Sequence, residues 1–381
     1  MMIRLRLVFA VLFAVGFGIL ADGKPAQAIE TAAQHAILID YDTQTVLFAK
    51  NPDEPLHPAS MSKLMTVYLV FEKLKKGEIK MDDQFPVSEK AWRMGGSKMF
   101  VHVGDRVRLE DLLRGIIVQS GNDACIVVAE GLAGSEQAFA EKMTAKAKEL
   151  GLEHSTFTNS TGWPDPGHQM TARDLATLAQ AIIRDFPEYY HLFSEIDFTY
   201  NGIKQGNRNP LLYKNMGVDG LKTGHTDEAG FGLTASALRN GRRLILVVQG
   251  LTGVNDRADE AERLIEYGYR EFDNYTLAKA GATLENAPVW MGSEASVPIT
   301  VSKNLIVTLP RSAHKAIKAS VILDGPLHAP IQKGQPIGKI VIQAGDMPPF
   351  EEKVVAGADV PRSGPIGHII ANLRYLVFGH T

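Results

Sequence analysis

The stretch Gly232-Leu233-Thr234-Ala235-Ser236-Ala237-Leu238-Arg239-Asn240-Gly241-Arg242-Arg243-Leu244-Ile245-Leu246-Val247-Val248-Gln249-Gly250 decides the fold class. Two β-rich runs, Gly232–Leu238 and Arg243–Gly250, flank Asn240-Gly241. Asn-Gly suits the paired positive-φ positions of a two-residue hairpin, so the runs are expected to lie antiparallel. Upstream, Ala36-Ile37-Leu38-Ile39 and Val46-Leu47-Phe48 flank a polar turn and predict a second hairpin within residues 36–49. Between these hairpins, apolar periodicity predicts helices at about 58–76, 109–118, 122–133, 135–150 and 171–185; another follows from Arg257 to Phe272. An antiparallel sheet from the early hairpin and the 218–250 strands, flanked by helices, accounts for this order. The expectation is an α+β domain over residues 29–278.

Past residue 280 the texture changes. Ile299-Thr300-Val301, Leu305-Ile306-Val307-Thr308-Leu309 and Ile340-Val341-Ile342 are short β-rich runs separated by Gly, Pro and Asn. They predict a small all-β domain over 284–357. Ile366, Ile369, Ile370, Leu373, Leu376 and Val377 then form one stripe at helical spacing. An amphipathic helix over 363–381 could lie in a membrane interface or dock on its own domain, and the membrane is the favoured reading because the helix trails past Pro- and Gly-rich residues.

The other terminus reads as an export signal. Arg4 and Arg6 precede an apolar run from Leu7 to Leu20, and Ala26-Gln27-Ala28 resembles a small-x-small cleavage site. Such a run is short for a hydrocarbon core of about 30 Å, so cleavage after residue 28 is expected rather than anchoring. The mature protein would then act outside the cytoplasm, at the periplasmic face of the cytoplasmic membrane.

Composition narrows the function. With 40 Lys+Arg against 43 Asp+Glu, the chain gives no electrostatic reason to expect a nucleic-acid partner. Its one cysteine, Cys125, excludes an intrachain disulfide and a multi-Cys zinc site. The eleven histidines show no metal-ligand spacing, so neither metal nor other cofactor is expected.

Three short motifs carry chemistry: Ser60-Met61-Ser62-Lys63, Ser120-Gly121-Asn122 and Lys222-Thr223-Gly224. Ser60 stands where a helix should begin, with Lys63 one turn later on the same face. A serine hydroxyl needs a base, and a lysine serves as one only when its pKa falls. Met61, Leu64, Met65, Tyr68 and Leu69 make that helix apolar enough to desolvate Lys63, and Lys222 nearby would push the same way. Ser120 could relay a proton to a leaving amine, and Asn122 could hold a substrate amide and position Lys63. Lys222 and Thr223, on an expected edge strand, suit a carboxylate; Gly224 would let an extended substrate approach the backbone. Backbone N–H groups of Ser60 and of His225 or Thr226 would form the oxyanion hole. Ser312 to Lys315 and Ser302-Lys303-Asn304 repeat two of the patterns, but in reversed order and without a following Lys-Thr-Gly, so they are set aside.

The trio resembles the penicillin-recognising serine enzymes. The longer strings Ser120-Gly121-Asn122-Asp123-Ala124-Cys125 and Lys222-Thr223-Gly224-His225-Thr226-Asp227 are similar to low-molecular-weight penicillin-binding proteins that act as D-alanyl-D-alanine carboxypeptidases. The likeness runs from about Ile29 to the C-terminus. It implies a β-lactamase/transpeptidase-like fold, Ser60 as acylated nucleophile and Lys63 as its base. It also implies Ser120 and Asn122 as the second motif, and Lys222 and Thr223 holding a terminal carboxylate. Arg257 resembles the arginine that reaches the same region, and His225 the histidine that supports the site. The implied partners are peptidoglycan stem peptides ending in D-Ala-D-Ala and covalently inhibiting β-lactams. Gly121 stands where β-lactamases usually carry Asp, and no Glu-x-x-Leu-Asn signature occurs, so a peptidase is favoured. A DD-endopeptidase cutting crosslinks is the alternative within this chemistry; a non-catalytic peptidoglycan scaffold is the alternative outside it.

Other candidates have plainer readings. Cys125, inside Ile126-Val127-Val128, is expected as a packing residue. Trp163-Pro164-Asp165-Pro166-Gly167 is either a wall of the cleft or an ordinary surface turn. Asp174 begins a helix and complements its dipole. Gly95-Gly96 lacks phosphate-loop spacing and reads as a flexible turn.

Overall fold

The computed structural model describes residues 4–5, 29–313, 317–344 and 349–364. The chain divides into two compact units, the boundary falling between Arg270 and Glu271.

The first unit is built on a five-stranded antiparallel sheet. Its strands are β1 (His35–Asp40), β2 (Val46–Lys50), β3 (Val218–Thr226), β4 (Gly230–Arg239) and β5 (Arg242–Leu251), in the order β2-β1-β5-β4-β3. β4 and β5 pair from Arg239 opposite Arg242 to Leu233 opposite Val248. Asn240 and Gly241 both have positive φ, at 50° and 81°, which is the conformation expected for that turn. β3 is left at the sheet edge, as the sequence reading of Lys222-Thr223-Gly224 requires.

Helices α1 (Lys63–Lys75), α2 (Glu89–Arg93), α3 (Leu109–Ile117), α4 (Asn122–Ala133), α5 (Glu136–Glu149), α6 (Ala172–Asp185) and α7 (Val254–Glu271) surround the sheet. Only the five-residue α2 was not foreseen. Strand side chains alternate between faces. Ile37, Ile39, Ile245 and Val247 accordingly point into one core with α1, α3, α4 and α6. On the other face Leu38 and Leu244 meet α7 at Gly268, where a Cβ would come within 2.8 Å of either leucine. α1 is buried almost all round, from Lys63 through Phe71, which marks it as the central helix of its layer.

In the second unit β6 (Phe272–Ala278), β7 (Thr283–Trp290), β8 (Ser296–Thr300), β9 (Leu305–Pro310), β10 (Ile317–Leu323), β11 (Pro336–Ala344) and β12 (Phe350–Ala356) alternate around their own core, which includes Val297, Ile299, Val307, Ile340 and Val354. β10-β11-β12-β8-β7 form one sheet and β6 pairs with β9. Lys303 is ion-paired to Glu352 and Asn304 accepts from the Ala280 N–H, so the repeated Ser-Lys-Asn has a structural role in this unit. Arg4–Leu5, inside the stretch read as an export signal, pairs antiparallel with Val321–Ile322. The rest of that signal and the stripe from Ile366 to Val377 lie outside the described residues, and no described helix is long and apolar enough to cross a membrane.

Candidate active site

The helix expected from residue 58 opens instead with a 3-10 turn over Ala59–Ser62 before α1 begins. Ala59 carries the strain, at φ 49°. Ser60 is presented half-buried at this corner. β3 packs directly against it. A Cβ on Gly224 would stand 2.7 Å from the Pro58 carbonyl oxygen and 3.1 Å from Met61. Gly224 thus leaves room for the serine turn, a contact that the sequence did not reveal.

Lys63 is fully buried, and its Nζ has three neighbours. It lies 2.7 Å from Ser60 Oγ, 2.7 Å from Asn122 Oδ1 and 2.5 Å from the Thr161 carbonyl oxygen. The two carbonyl oxygens can only accept, whereas the hydroxyl can also donate. A neutral amine has two N–H bonds and one lone pair. Both N–H bonds are therefore taken by Asn122 and Thr161, and the lone pair is left facing the Ser60 hydroxyl.

Burial pushes the Lys63 pKa down to about 8; Arg208 pushes the same way, and Cys125 and Asp123 oppose. Lys63 also lowers the pKa of Lys222, and because repulsion between two ammonium groups is mutual, the two buried lysines disfavour each other's charged form. Lys222, 3% exposed, is held well below the usual lysine range by burial and then by Lys63 and Arg208. Its Nζ donates to Ser120 Oγ at 3.0 Å and to the Thr223 carbonyl at 3.2 Å. Ser120 sits between α3 and α4 with φ 60°, a strained conformation for serine that turns its hydroxyl to Lys222. All three motifs thus meet: Ser60, Lys63 and Asn122 in one hydrogen-bonded group, Ser120 and Lys222 in another, with Thr223 buried beside them on the edge strand.

Arg257 is buried on α7. Its Nη2 reaches the Arg208 carbonyl at 3.5 Å, and its Nε has no partner among the described residues. Burial, then Arg208, draws its pKa down to about 10. An under-satisfied guanidinium in such a place suits an incoming carboxylate. His225 is exposed and stacks on Phe231, with ring centroids 3.9 Å apart, and the Arg257 guanidinium lies 5.8 Å from the same Phe231 ring. His225 is therefore joined to the cationic pocket through an aromatic ring.

Sequence reasoning missed several parts. Asp123, fully buried, accepts from the backbone N–H groups of Met99, Phe100, Val101 and Ala124, fastening the 99–101 segment to α4. Gly95 is no mere flexible turn: its carbonyl accepts from Asn122 Nδ2 at 2.9 Å. The loop before Trp163 is part of the cleft wall, since Thr161 holds Lys63. Asn159 Oδ1 fixes that loop by accepting from the N–H groups of Thr161, Gly162 and Trp163. Arg208 bonds Ser97 Oγ and faces both lysines electrostatically. Only Asp123 had a local signal, as an acid in the first turn of α4. Asp174 does more than complement a dipole: it accepts from the His154 N–H and Ser155 Oγ. Cys125 is buried as expected, its thiol pushed up to about 12 by burial. Among the described residues no group of His, Cys, Asp or Glu is placed to hold a metal ion.

A family model described as D-alanyl-D-alanine carboxypeptidase matches residues 22–252. The chain belongs to that family. A second model, penicillin-binding protein 5, C-terminal domain, matches residues 272–362 and so covers the all-β unit. The chain is 40% identical over 357 residues to D-alanyl-D-alanine carboxypeptidase DacC of Escherichia coli strain K12, covering 92% of this chain and 89% of that protein. Penicillin binding protein 5 from Haemophilus influenzae superposes with a TM-score of 0.82 at 38% identity, over 89% of this chain and all of that one. Penicillin-Binding Protein D2 from Listeria monocytogenes, in an ampicillin-bound form, matches 64% of this chain and all of its own at 29% identity and a TM-score of 0.59.

Proposed function

We propose that the protein is a serine D-alanyl-D-alanine carboxypeptidase that trims the terminal D-alanine from peptidoglycan pentapeptides and is acylated by β-lactams. The observation that carries this reading is the Lys63 amine whose two carbonyl acceptors leave its lone pair to Ser60. Membership of the carboxypeptidase family and likeness to an ampicillin-bound penicillin-binding protein support it.

In this mechanism Lys222, Thr223 and Arg257 hold the terminal carboxylate. Neutral Lys63 takes the Ser60 proton as Oγ attacks the penultimate carbonyl carbon, giving a tetrahedral oxyanion held by backbone N–H groups of Ser60 and the end of β3. The C–N bond then breaks. The proton reaches the leaving D-alanine nitrogen from Lys63 or through Ser120, which Lys222 orients. Asn122 positions Lys63 and holds the substrate amide. Water attacks the ester carbonyl as Lys63 takes one of its protons; the acyl C–O bond then breaks, Lys63 passes that proton to Ser60 Oγ, and the shortened peptide leaves as its acid. A β-lactam would form the same ester and hold it longer. Residues 1–28 would export the chain, and 363–381 would hold it peripherally at the outer face of the cytoplasmic membrane.

The test is intact mass after exposure to penicillin and to a D-Ala-D-Ala pentapeptide, with the modified residue mapped. The expected results are an adduct on Ser60, lost in Ser60→Ala, and release of free D-alanine. An adduct that persists in Ser60→Ala, or crosslinked muropeptides cut without any D-alanine release, would refute this assignment.

A further inference from the structure

Three cations of the site share one neighbour. Arg208 opposes the charged forms of Lys63, Lys222 and Arg257 alike, from a loop that belongs to none of the three motifs. A guanidinium keeps its charge across the working pH range, so its distance from the lysines decides how strongly it acts. Whatever fixes the Arg208 loop therefore bears on the chemistry.

Arg208 stands between two buried asparagines, Asn207 and Asn209. Asn207 Oδ1 accepts from the Asn209 N–H at 3.0 Å, and its Nδ2 donates to the Glu195 carbonyl at 2.9 Å. Glu195 is itself held by Arg114 of α3, Oε2 lying 2.8 Å from Nε. Asn209 Oδ1 accepts from the Leu211 N–H at 3.1 Å and so caps the 3-10 turn Pro210–Tyr213. Its Nδ2 donates to the Gly220 carbonyl at 2.9 Å, in a bond that is buried. Gly220 is on β3, two residues before Lys222, where the pairing with β4 shifts register between Val218 and Gly220. β3 has a strand neighbour on one side only, so a side-chain bond to its backbone contributes to holding it in place. The loop also reaches the second motif. Arg208 bonds Ser97 Oγ, and the Ser97 carbonyl accepts from the Asn122 N–H at 2.7 Å.

We propose that Asn209 is a positioning residue: by tying the Arg208 loop to the Gly220 carbonyl it fixes the Arg208 guanidinium against the two active-site lysines. Asn209 acts through Arg208 and touches no reacting atom. This inference rests on the carboxypeptidase reading, in which neutral Lys63 takes the Ser60 proton. The charged and titratable groups that face Lys63 are Cys125 and Asp123 on α4, Lys222 on β3, His168 and Arg208. Moving Arg208 away relieves one repulsion and leaves the attraction of Asp123 in place, so the Lys63 ammonium would persist to higher pH.

The test follows penicillin acylation of Ser60 in the full chain from pH 5.5 to 10. Asn209→Ser keeps an oxygen to cap the Leu211 N–H but is too short to reach Gly220. It should raise the pH midpoint from about 8 by about half a unit, which makes acylation about threefold slower well below the midpoint. Arg208→Gln should raise it at least as far, and the variant carrying both changes no further than Arg208→Gln alone. The midpoint is read from the folded fraction, so partial unfolding does not mask it, whereas a purely structural role would lower stability and leave the midpoint in place. An unshifted midpoint in Asn209→Ser, or shifts that add in the double variant, overturns the positioning role alone. A flat profile in the unmutated protein, or no adduct on Ser60, overturns the reaction reading and this inference with it.

Discussion

Lys63 Nζ lies 2.7 Å from Ser60 Oγ, and the amine's other two partners are carbonyl oxygens that can only accept. The pair is consequently directional: Lys63, the proposed general base, points its lone pair at the hydroxyl once it loses a proton. Burial supplies the second condition by drawing the Lys63 pKa to about 8.

The pH dependence of acylation follows with its sign. In the proposed mechanism Lys63 acts as the neutral amine, so the acylation rate should rise with pH through about 8 and fall about tenfold per unit well below it. Lys63→Arg keeps a cation there but removes the base, because a guanidinium does not deprotonate in this range. Acylation should drop by about a thousandfold. Stopped-flow or quenched-flow labelling of Ser60 by penicillin between pH 5.5 and 10 checks both, and a flat profile would remove Lys63 as the base.

Gly224 tests whether the edge strand must touch the serine turn. Alanine there places a methyl group 2.7 Å from the Pro58 carbonyl oxygen, a backbone atom that cannot step aside alone. The strand and the 3-10 turn should separate, with a stability loss of about 1–3 kcal/mol. Acylation should fall more than unfolding explains, since Thr223 and Ser60 are carried on the two parts that move. Urea denaturation alongside acylation rates separates the two effects.

Gly241 is the matching control in the same sheet. Nothing lies within 4 Å of a Cβ built on it, so Gly241→Ala is penalised only through its φ of 81°. The cost should be about 1 kcal/mol, with acylation of the folded protein unchanged. A larger loss of acylation would mean that the hairpin turn communicates with the site.

These contrasts show what the sequence could and could not reveal. Asn240-Gly241 and the Ser60, Ser120 and Lys222 motifs were legible because their geometry is local: a turn type, one helical step, an edge position. The alternation of β1 and β5 and the helical periods located the core in the same way. Arg208, Gly95 and Thr161 were not legible. Each meets the site through a partner far along the chain, as Thr161 meets Lys63 across 98 residues, and no spacing encodes that meeting. Gly224 was seen, but its close approach to Pro58 was not, because Pro58 belongs to another element.

Asp123 carries the largest structural load among the groups that local reading passed over. Its two carboxylate oxygens accept from four backbone N–H groups, three of them on the Met99–Val101 segment. That segment follows the Gly95 loop, whose carbonyl holds Asn122, and Asn122 in turn holds Lys63. Asp123→Ala would strand several buried donors at once and should cost about 3–5 kcal/mol. Asp123→Asn keeps one accepting oxygen and should cost about half as much. Because Asn122 is adjacent, the folded fraction of either variant should also acylate more slowly. Its Lys63-dependent pH midpoint should shift, since the amine would lose a fixed acceptor and a nearby negative charge. Chemical denaturation gives the first quantity and the pH profile of penicillin labelling the second; an unshifted midpoint with normal rates would confine Asp123 to holding the loop.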